Sequence, residues 1–116
     1  MKKIIYLTLI SALVSPVIAA AQVKPVELDA MKIMTNPNIG NCTACHAIPA
    51  APNIVAGDVG PPFIGMKDRF PKLATLRAAV ADQRKVAPDT IMPPFERNKI
   101  LTAEQIDAVV TLIYTY

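Results

Sequence analysis

The sequence Cys-Thr-Ala-Cys-His at residues 42–46 constrains this chain more than any other stretch. Two thiols three positions apart, followed at once by a histidine, form the attachment signature of c-type haem. One helical turn brings the sulfurs of Cys42 and Cys45 to the same side, where each can form a thioether with a haem vinyl group. His46 is then placed over the porphyrin face, where its imidazole can bind the iron. The motif therefore predicts one covalent haem c.

Three other interpretations compete with haem attachment. A redox Cys-x-x-Cys motif usually follows a strand in a βαβ unit, and no convincing strand precedes Cys42. A structural zinc site needs four Cys or His ligands, whereas the chain holds two Cys and one His. A simple disulfide between Cys42 and Cys45 would leave the adjacent His46 unexplained. Haem attachment is the interpretation that uses all three side chains.

The N-terminus has the organisation of a secretory signal peptide. Lys2 and Lys3 precede an uncharged run at residues 4–14, and three small residues follow at 19–21. We predict a cleaved signal peptide at residues 1–21, with cleavage after Ala21 or one of the two preceding alanines. The apolar run is shorter than the roughly 20 residues that a membrane span needs, although a retained anchor is the alternative. The sequence therefore predicts export to the periplasm.

Residues 22–116 are predicted to form a single monohaem domain. Without Lys2 and Lys3 the basic residues fall from twelve to ten, against nine acidic residues. Two haem propionates would make the total slightly negative, so the sequence pI near 9.0 gives no electrostatic basis for binding nucleic acid. A chain this small has little apolar surface to bury, and a porphyrin would supply the missing core.

The pattern of apolar residues predicts an all-α fold with three to four short helices and long proline-rich loops. A first helix is expected at Val26–Met34, with its acidic residues in the first turn, and a second at Leu73–Lys85. The last helix has the clearest signals, because Thr102 and Gln105 form a capping box. Its apolar face repeats at intervals of three and four residues: Ile106, Val109, Val110 and Ile113.

Two loops are expected to touch the haem. The apolar loop at residues 47–57 should cover it through Ile48, Ile54 and Val55, unless this loop is a patch for docking a partner. The loop at residues 60–65 contains two prolines and cannot be helix or central strand. Its functional interpretation is that the Pro61 carbonyl accepts a hydrogen bond from the outer imidazole N–H of His46, which would fix the ring. Its simpler interpretation is a rigid connection between elements.

The second axial ligand must come from elsewhere, because His46 is the only histidine. The candidates are a methionine, a lysine or no ligand. Met92 is favoured because it lies in a loop between two helices, where the following prolines restrict the backbone to extended geometry. The other methionines, Met31, Met34 and Met66, are expected to pack in the core, and a packing role for Met92 is the alternative. Ligation by His46 and Met92 would suit one-electron transfer.

Four short runs together resemble class I c-type cytochromes and, more narrowly, the SoxX family, the small monohaem subunits of SoxAX complexes. The resemblance extends from about Gly40 to Tyr114, and its most specific part is the joint occurrence of the haem motif and the Met-Pro-Pro-Phe loop. The runs are Gly40-Asn41-Cys42, Cys45-His46-Ala47-Ile48-Pro49, Gly60-Pro61-Pro62 and Met92-Pro93-Pro94-Phe95.

The resemblance implies specific roles for individual residues. It implies thioethers at Cys42 and Cys45, with His46 and Met92 as axial ligands. It also implies that the Pro61 carbonyl orients the histidine and that Arg69 lies near a haem propionate; a surface arginine is the simpler interpretation. The chain departs from the family pattern at Glu96, where a glycine is expected.

The family function implied is a periplasmic complex that oxidatively joins thiosulfate to a cysteine of the carrier SoxYZ. The bond would form on a SoxA-like partner, and this chain would accept the electrons and pass them to a downstream acceptor. It would be a redox subunit of an L-cysteine S-thiosulfotransferase-type heterodimer, and an electron carrier on its own. The alternative is a free periplasmic shuttle that donates to a terminal oxidase. A shuttle typically has a lysine-rich haem edge, whereas the only close basic group here is Lys67, Arg69 and Lys72.

Overall fold

The computed structural model describes residues 28–116, and every predicted feature of residues 1–27, including the signal peptide, lies outside this range. Within it the structure contains helices and no β-strand, in agreement with the predicted all-α fold. None of the described helices is long and apolar enough to cross a membrane. The α-helices are α1 (Ala30–Thr35), α2 (Met66–Arg69), α3 (Leu73–Ala81) and α4 (Ala103–Ile113), and 3-10 turns lie at Cys42–Ala44 and Gln83–Lys85.

Helix α4 forms the centre of the core, as its sequence pattern predicts. The Thr102 hydroxyl accepts from the Gln105 backbone N–H at 3.3 Å, and the Gln105 amide oxygen accepts from the Thr102 N–H at 2.9 Å. The helix packs against both α1 and α3. Burying each large aliphatic side chain of its inner face stabilises the fold by roughly 1.5–3 kcal/mol. The buried residues are Ile106, Val109, Val110 and Ile113.

Helix α3 is shorter than predicted. It ends at Ala81, and Asp82 takes an extended conformation with φ −158° before a separate 3-10 turn begins. The Asp82 carboxylate accepts a hydrogen bond from the backbone N–H of Arg84, which begins the new turn. This local side-chain bond competes with continued helix, so the predicted helix at Leu73–Lys85 is wrong after Ala81.

Helix α1 begins later than predicted. Asp29 lies just before the helix and accepts a hydrogen bond from the Lys32 N–H at 3.1 Å, so it caps the helix and is not part of its first turn. Ile33 and Met34 are fully buried, whereas Leu28, just before the helix, is exposed.

The loop that follows the Cys-Thr-Ala-Cys-His motif returns alongside it. Three backbone hydrogen bonds are donated from residues 57–63 to carbonyl groups of residues 43–47, so the two segments are held side by side. The bonds are Gly57 to Thr43 at 2.9 Å, Gly60 to Cys45 at 2.8 Å and Phe63 to Ala47 at 2.9 Å. In the intervening loop Ile48 is buried, whereas the surface of Val55 is 97% exposed.

Candidate functional site

A cavity of about 460 Å³ lies between the motif and the loop that carries Met92. Its volume is within the range of about 300–1,000 Å³ typical of small-molecule and cofactor sites. Cys42, Cys45 and His46 line it together with Met92, although Met92 follows His46 by more than forty residues. The fold therefore brings the two thiols, the imidazole and the thioether to one cavity. Ile48, Ile54 and Val55, which were expected to cover a haem, do not line it.

The proton on the His46 ring can be assigned from its neighbour. Nδ1 of His46 lies 2.7 Å from the carbonyl oxygen of Pro61. A carbonyl oxygen can only accept, so Nδ1 must carry the hydrogen and donate it. In the neutral ring Nε2 is then unprotonated and keeps a lone pair available to a metal. The contact predicted from the sequence is present, and it selects the tautomer that a metal ligand needs.

Two further residues hold the imidazole, and the sequence interpretation missed both. The Phe63 ring stacks on the His46 ring with centroids 4.8 Å apart and an interplanar angle of 16°. Gly60 packs its backbone against the same imidazole, and a Cβ atom there would lie 2.6 Å from Nδ1 and 2.8 Å from Nε2 of His46. Any side chain at position 60 would displace the ring. The signal in the sequence was the glycine itself, directly before two prolines.

The loop that carries Met92 has no regular secondary structure around the methionine. The backbone N–H of Met92 donates to the Thr90 hydroxyl at 3.2 Å, and Phe95 is buried in the core beyond the two prolines. Met92 is half-buried and lines the cavity. Met66 is 2% exposed, as its predicted packing role requires, but it also lines the cavity and is therefore a second thioether at this site.

Among the described residues that line the cavity, Arg69 carries the only charged side chain. It is exposed, and its Nη1 donates to the carbonyl oxygen of Pro62 at 2.9 Å. Pro62 follows Pro61, so this hydrogen bond stabilises the loop that holds the histidine. The rest of the lining is mostly apolar, which suits a large apolar ligand that carries its negative charge at one edge.

Neither the pKa of the Cys42 thiol nor the side chains around it favours a redox nucleophile or a zinc site. The pKa of the Cys42 thiol is raised to about 11, mainly because the thiol is buried. Its backbone hydrogen bond lowers this pKa, and the nearby Cys45 raises it further. A redox Cys-x-x-Cys motif needs a lowered thiol pKa, because the thiolate is the nucleophile. In the described part of the chain, no three side chains of the His, Cys, Asp or Glu type converge to hold a metal ion. The two cysteines are not joined by a disulfide.

Comparison with solved structures identifies the family. The crystal structure of SoxXA from P. pantotrophus contains a chain that is 30% identical to this one, with a TM-score of 0.67. The match covers 81% of this chain and 83% of that chain. This chain belongs to the SoxX family of cytochromes. No family model matches it, and neither does any curated protein. The SoxX match also shows that the helices around the cavity form a cytochrome c fold.

The departure from the SoxX family pattern at Glu96 has a simple structural explanation. A glycine is required where the backbone needs a positive φ, and in residues 28–116 only Asn41 and Lys99 have a positive φ among the residues other than glycine. Glu96 therefore has no conformational need for glycine. Its backbone N–H donates to the Ala81 carbonyl at 3.1 Å, and its carboxylate lies 3.5 Å from Nη1 of Arg77.

Proposed function

We propose that this SoxX-family chain binds one haem c through thioethers at Cys42 and Cys45. His46 Nε2 would be one axial ligand and the Met92 thioether the other. The observation that carries the proposal is the single cavity lined by all four side chains, together with the tautomer that Pro61 imposes on His46. The bound haem supplies one-electron redox chemistry.

The other predicted site residues have supporting roles in this proposal. Pro61 holds the imidazole, which fixes its orientation and raises its basicity as a ligand. Arg69 would lie near a haem propionate, and its position as the only charged residue in the described part of the cavity lining supports this role. Gly60 and Phe63 pack against the imidazole ring.

We further propose that the chain acts in the periplasm, as a 22–116 domain released from a signal peptide at 1–21. Its partner would be a SoxA-like cytochrome, because the matched chain belongs to a SoxXA structure. The pair would conjugate thiosulfate to a cysteine of a SoxYZ carrier, and this chain would accept the electrons released and pass them on. Both of its cysteines are assigned to haem, so it retains no thiol for the conjugation itself.

The surface supports a lasting partner over a free shuttle. Val59 and Ile91 both line the cavity and are 63% and 78% exposed, so apolar side chains stand beside its opening. Exposed apolar surface of this kind is typical of protein–protein interfaces. A shuttle that meets its partners briefly more often surrounds the haem edge with lysine.

Size-exclusion chromatography of native periplasm tests the proposal. We expect haem absorbance to coelute with this chain and a second haem-bearing chain, and the pair to survive moderate salt. Thiosulfate, added with the carrier protein, should then reduce the haem. Elution of this chain alone, near its own mass, would favour the shuttle, and a chain without covalent haem would refute the cofactor proposal.

A further inference from the structure

Asp82 is a buried carboxylate with no role in the function proposed above. Its side chain is 8% exposed. Oδ1 accepts hydrogen bonds from the backbone N–H and from Nε of Arg84, both at 3.2 Å, and Oδ2 lies 3.7 Å from Nε of Arg97. A buried carboxylate is costly unless it is paired and hydrogen-bonded, and this one has cations on both of its oxygens.

The two cations lie on either side of the Met92 loop in the sequence. Arg84 precedes residues 85–96 and Arg97 follows them. Beside Asp82, the Ala81 carbonyl accepts from the Glu96 backbone N–H at 3.1 Å. The beginning and the end of the loop are therefore fastened at one place, the C-terminal end of α3.

We propose that Asp82 is a positioning residue that closes the base of the 85–96 loop and so keeps the Met92 thioether at the cavity. Its relevance to the iron rests on the function proposed for Met92. The Met92 thioether can remain at the iron only while the loop that carries it is closed. Its residence there therefore depends on how often that loop opens. Opening of a loop is a local unfolding equilibrium, and contacts at its base set the population of the open form.

Asp82→Asn in the haem-loaded full chain tests the proposal by hydrogen exchange. The substitution keeps the size of the side chain but turns an acceptor oxygen into an amide that faces a cation. We expect backbone amides of residues 85–96 to exchange about tenfold faster, which is the effect of losing a buried charged hydrogen bond, while the amides of α4 keep their rates. Asp29→Asn is the matched control, because Asp29 also accepts from a backbone N–H at a helix start, and it should leave the loop unchanged.

Arg97→Gln provides a milder variant, since Arg97 is 61% exposed and its Nε lies 3.7 Å from Oδ2 of Asp82. It should accelerate exchange in the same loop by a smaller factor. If Asp82→Asn does not fold, Arg97→Gln tests the proposal alone. Loop amides that exchange at the wild-type rate in that variant would then overturn the proposal. If Asp82→Asn folds and its loop amides exchange at the wild-type rate, the proposal is overturned directly. Equal acceleration in the loop and in α4 would also overturn it, because that is general destabilisation.

Imidazole binding to the ferric protein gives a second readout. If the loop opens more often, added imidazole reaches the iron more often, and its apparent affinity should rise about tenfold in Asp82→Asn. An unchanged affinity alongside faster loop exchange would show that the loop does not control the iron. A wild-type protein without a Met–iron absorption band would refute the role proposed for Met92, whereas the exchange measurement would still test the closure of the loop by Asp82.

Discussion

The Nδ1–H of His46 points to the carbonyl oxygen of Pro61 across 2.7 Å. The direction of that carbonyl is largely set in advance. Pro61 has a fixed φ because of its own ring, and its ψ is restricted to extended values because Pro62 follows it. The two prolines therefore hold an acceptor in place, and the imidazole aligns with it.

The contact between Gly60 and the His46 ring gives the first prediction. Gly60→Ala should lower the yield of protein with covalently bound haem and shift its reduction potential, because the added Cβ overlaps the imidazole. Difference spectra and a redox titration measure both effects. Gly65→Ala is the control: Gly65 has φ +59° and open space around it, so alanine there should cost about 1 kcal/mol of stability through backbone strain without altering the potential. Equal potentials in the two variants would contradict the prediction.

The two thioethers at the cavity give the second prediction. Met92→Ala should abolish the near-infrared Met–Fe³⁺ charge-transfer band, because the proposed axial sulfur is removed. Met66→Leu should keep the band and cost less than about 1.5 kcal/mol of stability, since it conserves volume in the core. Loss of the band in Met66→Leu and its retention in Met92→Ala would reverse the assignment of the ligand.

The inner face of α4 gives the third prediction. Ile106 is fully buried, so Ile106→Ala should lower the free energy of unfolding by about 2–5 kcal/mol in a denaturant titration of the haem-loaded protein. Val55→Ala should change it by no more than about 0.5 kcal/mol and leave the haem spectrum unaltered, because Val55 is exposed. A large effect at Val55 would indicate that this loop is covered in the folded protein.

The start of α4 gives a prediction about pH. The pKa of Glu104 is lowered, first by its own backbone N–H and then by the Thr102 hydroxyl. A carboxylate whose pKa is lower in the folded state adds stability above its unfolded pKa and loses that contribution as the pH falls through the folded value. Glu104→Gln should therefore be less stable than the wild type at neutral pH, and the difference should shrink on acidification below the ordinary range for glutamate.

A cap variant is the control for this pH dependence. Thr102→Ala should lose about 0.5–2 kcal/mol, most of which persists at low pH, because the hydroxyl also caps the helix. Thermal unfolding at several pH values compares the two variants. A difference between Glu104→Gln and the wild type that does not change with pH would contradict the assignment.

Features encoded by local patterns were predictable from the sequence. The capping box and the buried face of α4 depend on residues three and four positions apart, so a reading of Thr102 to Ile113 finds them. The prediction for α3 failed at Asp82, because a carboxylate that bonds to the next turn ends a helix without changing its apolar period. The start of α1 was misplaced for a related reason, since an aspartate serves equally well in the first turn or as the cap.

Contacts between distant segments were harder to predict. The sequence pointed to Pro61 through its rigid loop and its place in a family pattern, but not to Gly60 or Phe63, whose importance depends on where the His46 ring lies. The closure of the 85–96 loop by Asp82 was likewise hidden, because Arg84 and Arg97 look like ordinary surface charges in the sequence. Only the folded chain places both beside one carboxylate.

The three backbone hydrogen bonds between residues 43–47 and 57–63 join the segments on the histidine side of the site. The site therefore has two parts that come from different stretches of the chain. The histidine side is built from a short continuous stretch, so closing it costs little chain entropy and it can form early in folding. The methionine side comes from a separate loop, which is held at the C-terminal end of α3 and by the buried Phe95. None of the backbone hydrogen bonds among the described residues joins that loop to the attachment segment, which makes the loop the natural place to alter the redox potential by design.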